Sequence, residues 1–182
     1  KATLVFIPGG EGKLGLTPER TNLGGFYGAT LRLLSDDRLT SGYFNVVVFD
    51  SPVQLPSGTD YPYSRQSSEH LLRIQSVVHH YKEKFGLPVW LMGHSNGAVS
   101  ITEFYKLMQK SKNEKLIDGA VYSSARNGAT FNEETQIPIF FWRMNRTVAK
   151  NLSLQDRCKS ISGNKRQIKP SWKMLSFKAE SR

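Results

Sequence analysis

Short apolar runs punctuate the first three quarters of the chain, and longer amphipathic stretches separate them. Leu4-Val5-Phe6-Ile7, Val46-Val47-Val48-Phe49, Val89-Trp90-Leu91-Met92 and Gly119-Ala120-Val121-Tyr122 form four such runs, and Ile137 to Trp142 forms a fifth. The runs are continuous rather than alternating. Strands buried on both faces read this way, as in a parallel sheet covered by helices. Between them, Leu71, Ile74, Val78, Tyr81 and Phe85 recur at steps of three or four. That spacing draws one apolar helical stripe, and Gly86 and Pro88 end it. Ser95 to Lys110 repeats the pattern through Val99, Phe104, Leu107 and Met108. Residues 23–36 form a weaker helix, thinned by Gly24, Gly25 and Gly28. Residues 51–64 contain three prolines and read as a long surface loop. The alternation predicts an α/β fold: a mainly parallel sheet of about five strands with helices on both faces. Beyond Trp142 no period of 2 or 3.6 persists, which predicts weak helix or coil in 143–182.

The strand-like run 89–92 leads into Gly93-His94-Ser95-Asn96-Gly97, and an amphipathic helix follows at once. A G-x-S-x-G between strand and helix places its serine on a sharp turn, where the residues two before and two after must lack bulk. Ser95 Oγ then projects beyond the strand ends, beside the positive end of the next helix. An early strand runs into the glycine turn Pro8-Gly9-Gly10-Glu11-Gly12. With these two motifs the chain resembles the α/β-hydrolase family over about residues 2–142. The resemblance implies that Ser95 is a catalytic nucleophile on an elbow formed with Gly93, His94 and Gly97. It implies an oxyanion hole built from the backbone N–H of Asn96 and a second donor at Gly10 or Glu11. It implies a small-molecule acyl substrate (an ester, thioester or amide) and no cofactor or metal.

Gly10-Glu11-Gly12-Lys13-Leu14-Gly15 also fits G-x-G-x-x-G formally. A dinucleotide fold needs a helix opening within that stretch, and Pro18 and the late start of any apolar stripe oppose one. The acidic residue expected about 20 positions on is missing too.

The family's acid and base do not appear where its chain order puts them, which is Ser, then Asp or Glu, then His. An Asp is expected near 145 or 146, and the chain has Asn145 and Arg146. All four histidines, His70, His79, His80 and His94, precede Ser95 or adjoin it, and none follows. His79 and His80 occupy consecutive helical positions that do not share a face. They read as surface or half-buried residues, and His70 reads similarly. His94 and Ser95 are neighbours on an elbow, where side chains diverge. Glu133 and Glu134 are loop acids, and Asp156 and Glu180 are the only later ones. Asp50 closes its strand and reads as a hydrogen-bonding partner of the turn after it. The expected activity is therefore an impaired serine hydrolase, with a catalytically inactive hydrolase-fold binding protein as the alternative.

Charge sharpens the discontinuity. The net charge is +10, yet residues 1–138 carry 14 Lys and Arg against 13 Asp and Glu, whereas residues 139–182 carry 11 against 2. The chain divides into a core, 1–142, and a basic, atypical tail, 143–182. Trp172 and Phe177 among Lys169, Lys173 and Lys178 leave open a phosphate- or lipid-contacting arm, with salt-sensitive binding that deletion of 143–182 removes. No sustained amphipathic stripe supports it, so a solvated tail is the preferred reading and no nucleic acid is expected. No apolar run approaches the roughly 18 residues of a membrane span. Cys158, the single cysteine, permits no intrachain disulfide. Lys1-Ala2-Thr3 opens straight into a strand-like run without a signal pattern. A soluble protein follows, cytoplasmic or, had a signal been removed, periplasmic or secreted. The oligomeric state is left open.

The motif pattern and the charge balance change together near Phe141. We attribute this to a shifted reading frame or to replacement of the ancestral C-terminal part. Translation of the coding DNA in the other two frames beyond codon 141 is expected to restore an Asp near 145 and a His downstream. Two frames yielding neither overturn the shifted-frame reading and leave replacement.

Overall fold

The computed structural model describes residues 1–20, 23–51, 61–125, 129, 135–142 and 175–176. Five strands run parallel in the order β2-β1-β3-β4-β5. They are β1 (Ala2–Ile7), β2 (Phe44–Val48), β3 (Val89–His94), β4 (Gly119–Ser123) and β5 (Ile139–Trp142). β1 lies at the middle of the crossovers, pairing Val5 with Val47 on one side and Leu91 on the other. A two-residue β6 (Leu175–Ser176) pairs antiparallel to β5. That short strand corrects the expectation of helix or coil throughout 143–182. The other residues of the tail lie outside the described residues.

Burial on two faces explains the unbroken apolar runs. On one face Val5, Ile7, Leu91 and Tyr122 pack under two long helices, α4 (Ser68–Phe85) and α5 (Asn96–Lys110). These helices contribute Leu71, Ile74, Val78, Ile101, Phe104 and Met108. On the other face Leu4, Phe6 and Met92 pack against Tyr27, Leu31 and Leu34 of α1 (Gly25–Leu34). Alternate residues of one strand thus feed two separate cores, which is why the central positions of the runs are all apolar. Ser67 caps α4 by accepting from the His70 amide at 3.3 Å, and Gly86 closes it.

Three elements differ from expectation. The helix predicted over 23–36 ends at Leu34, because Asp36 starts a new turn, α2 (Asp37–Thr40), by accepting from the Arg38 amide at 3.0 Å. The predicted surface loop 51–64 is anchored at both ends. Ser51 is buried, and α3 (Tyr61–Ser64) ends on a buried Ser64. Residues 52–60 lie outside the described residues. Asp50 does hydrogen-bond a turn, but an earlier one: its two carboxylate oxygens accept from Leu14 N at 2.6 Å and Leu16 N at 2.8 Å. Asp50 thereby fastens the glycine loop after β1 to the end of β2. No helix opens in 10–15, as the dismissal of a dinucleotide loop anticipated. Among the described residues no helix is long and apolar enough to cross a membrane.

Phe104 is fully buried where α5 meets the sheet. Phe104→Ala is expected to lower unfolding free energy by about 3–5 kcal/mol in urea titration, the cost of lost contacts plus a cavity.

Candidate active site

β3 ends at His94, α5 begins at Asn96, and Ser95 stands between them with φ 53° and ψ −113°. For a residue with a side chain, this conformation costs of order 1–3 kcal/mol. Its neighbours hold it there. Ser95 N–H donates to Ser123 O at 2.9 Å, and Ser95 O accepts from Ala98 N at 3.1 Å. Two close approaches explain the flanking glycines. A Cβ on Gly93 would stand 2.5 Å from the Gly97 carbonyl carbon, and a Cβ on Gly97 would overlap the Ile7 carbonyl oxygen. Ser95 itself is half-buried.

The turn after β1 crosses directly over this corner. A Cβ on Gly9 would lie 2.9 Å from Ser95 Cβ and 3.1 Å from the Tyr27 hydroxyl. Gly12 N–H donates to Gly9 O at 3.0 Å, which closes the turn around Gly10 and the half-buried Glu11. Asn96 Nδ2 donates to Gly10 O at 3.2 Å. The structure therefore brings together Ser95, Asn96 and the Gly9–Glu11 turn, with Gly93 and Gly97 beneath.

His94 turns away along the α1 side. Its Nδ1 lies 3.2 Å from Ser123 Oγ, and its ring packs against Phe26 at 4.6 Å between centroids. Burial lowers its pKa. Beside it, burial raises the Tyr27 pKa against the opposing effect of a hydrogen bond from the Gly9 backbone. His79 and His80 are exposed, as expected.

His70 is not a surface residue. It is fully buried, and its Nε2 lies 2.9 Å from Ser100 Oγ of α5. The cause is helical phase. His70 stands four residues before Ile74 on the face of α4 that meets the sheet, and its ring meets Phe49 edge-on at 5.5 Å. Burial, with a smaller contribution from nearby Arg65, lowers its pKa to about 3.

Arg65 was not singled out by sequence. It is fully buried. Its Nη2 donates to Pro8 O at 3.0 Å, Gly9 O at 3.3 Å and Gly10 O at 2.8 Å, while Nη1 donates to Ser100 Oγ at 3.3 Å. Its partners are mainly backbone carbonyls more than 50 positions away, so no local pattern marks it. For His70 a signal existed, namely its phase with Ile74. Glu133, Glu134, Asn145, Arg146, Asp156 and Glu180 lie outside the described residues. Among the described residues no three His, Cys, Asp or Glu side chains gather as a metal site.

A five-stranded parallel sheet with a positive-φ serine at the corner between its middle strand and a helix is the core of an α/β-hydrolase fold. No family model matches the chain, and no curated protein matches it. Solved structures do resemble it. Brefeldin A esterase, a bacterial homologue of human hormone sensitive lipase, is 20% identical over 68% of this chain with a TM-score of 0.46. This chain spans 31% of that one. An acetylxylan esterase is 11% identical, with 87% of this chain and 93% of that chain covered and a TM-score of 0.46. The RedJ thioesterase of the prodiginine pathway in Streptomyces coelicolor is 13% identical, with 89% and 56% covered and a TM-score of 0.40.

His70 generates a pH dependence. Its folded-state pKa lies below its ordinary value, so between about pH 6.5 and 3 the unfolded chain binds the extra proton. Its contribution is intact above that window and is lost as pH falls through it. Urea titrations between pH 7 and 4 are expected to show a steeper loss for the parent than for His70→Gln, which has no proton to gain.

Proposed function

We propose that this chain is the nucleophile-bearing core of a serine hydrolase that acts on an ester, thioester or amide through an acyl-Ser95 intermediate. One observation carries the reading: a serine at φ 53° lies between two glycines that admit no Cβ, directly beneath a glycine turn. Strain of this kind, where surrounding contacts maintain it, marks functional positions. In the proposed reaction Ser95 Oγ attacks the acyl carbonyl carbon and forms a C–O bond as its O–H bond breaks and the proton passes to a solvent water. The carbonyl electron pair moves to oxygen, where the amides of Asn96 and of Gly10 or Glu11 receive the negative charge. Preset backbone donors of this type contribute a few kcal/mol each. Collapse of the intermediate breaks the bond to the leaving group, which takes up a proton through water. A water molecule then cleaves the acyl-serine.

Impairment belongs to the same proposal. A seryl hydroxyl needs a base to become a good nucleophile. His70 is engaged with Ser100 and His94 approaches Ser123, while His79 and His80 face solvent. That disposition of histidines also favours a second reading, a hydrolase-fold protein that binds an acyl ligand without turning it over.

A fluorophosphonate probe separates the readings. It is expected to form a slow covalent adduct on Ser95, located by peptide mass spectrometry and absent from Ser95→Ala. With an activated acetate ester, slow acylation without sustained turnover is the matching result. Folded protein that takes no probe at Ser95 leaves only the binding reading.

A further inference from the structure

We propose that Arg65 is a positioning residue that fixes the direction of the backbone amides above Ser95. The inference rests on the reading of Ser95 as a nucleophile and deepens it.

The guanidinium reaches three successive carbonyls, those of Pro8, Gly9 and Gly10. No cis peptide occurs among the described residues. In a planar trans peptide the carbonyl and the N–H of the following residue point in opposite directions. Drawing these three carbonyls to one side therefore turns the amides of Gly9, Gly10 and Glu11 to the other. The Gly9 amide meets Tyr27 there, consistent with that direction. Cβ positions agree. The hydrogen of Gly9 that a Cβ would replace faces Ser95 Cβ, while that of Gly12 faces the guanidinium and Ser51 Oγ. The turn is a thin wall with a permanent cation on one side and the serine on the other.

The chemistry of the group suits the task. A planar fork of five donors can satisfy several acceptors at fixed angles, which an ammonium cannot. The buried cation also polarises the three peptide units, strengthening their amides as donors to negative charge. Ser100 supports the fork from α5, and the depressed pKa of His70 keeps its ring neutral beside the cation.

The test uses Arg65→Lys and Arg65→Ala in the full chain, each checked for native near-ultraviolet circular dichroism. Fluorophosphonate labelling is resolved into a maximal rate and a half-saturating probe concentration. The maximal rate is expected to fall at least about tenfold, less than the loss of a whole oxyanion donor costs, with half-saturation changed less than about twofold. Millimolar guanidinium is expected to restore labelling in Arg65→Ala and to do nothing for Ser95→Ala. Amide exchange of Gly10 and Glu11 is expected to accelerate in both Arg65 variants. Should neither variant fold, Ser100→Ala, which removes the support behind the fork, is read in the same way with a smaller loss. Parental labelling in a folded variant overturns the proposal, as does a loss that only follows the unfolded fraction and resists guanidinium. If the parent takes no probe, the nucleophile reading fails by itself. Exchange then decides: acceleration upholds Arg65 as the residue that sets the turn, and unchanged exchange overturns it.

Discussion

One close approach, between the α-carbon of Gly97 and the carbonyl of Ile7, leaves no room for a single methyl group. It joins the end of β1 to the first turn of α5. Because β1 and β3 are hydrogen-bonded neighbours, this contact decides how far the chain leaving Ile7 can rise before it must bend. The chain bends at Gly9, which lies against Ser95. A bulkier residue at 97 would lift the turn off the serine or tilt α5 from the sheet. Either change would break the site while the individual elements survived.

Polar chemistry beneath the turn follows from the same closeness. Three carbonyls on the inner side of this turn need donors, since each would cost free energy if shut away from water unsatisfied. Arg65 reaches all three with one side chain, sharing Gly9 O with the Gly12 amide and Gly10 O with Asn96 Nδ2, and Ser100 and His70 pass the hydrogen bonding inward to α4 and α5. A charged group is tolerated in this place because it spends its charge on backbone dipoles. The neutral state of His70 belongs to this arrangement, as a second cation would add repulsion where water cannot screen it.

The sheet was legible because double burial forces a simple code. A strand such as Leu4-Val5-Phe6-Ile7 serves two cores, so every position is apolar and the run stands out. The elbow was legible because its two glycines answer to sterics that no other residue satisfies. Arg65 was illegible for the opposite reason: its partners are main-chain atoms, identical at every residue, and distant in sequence. His70 was misread although its phase was available, because a histidine in an amphipathic helix does not announce which side it takes. The prolines and polar residues of 51–64 suggest a surface loop and give no sign that Ser51 and Ser64 are buried.

On the proposed reading, two parts of a serine hydrolase mechanism come apart in this chain. Stabilisation of negative charge would reside in backbone amides and in whatever fixes them, all of it before residue 101: β1, its turn, Arg65 and the elbow. Proton transfer resides in side chains that the family's order brings in after the fifth strand of this sheet. The first part demands strain, close approach and a buried cation, all of which require an intact core. The second demands two correctly placed residues and nothing else from the fold. A change confined to the chain beyond Trp142 can therefore remove the acid and the base and leave the charge-stabilising part standing. On the proposed reading, what remains is a serine that can accept an acyl group with about the 10³–10⁴-fold advantage over water that binding and oxyanion stabilisation retain without a triad. On that reading the positive φ at Ser95 is the physical mark of the electrostatic half of such a reaction.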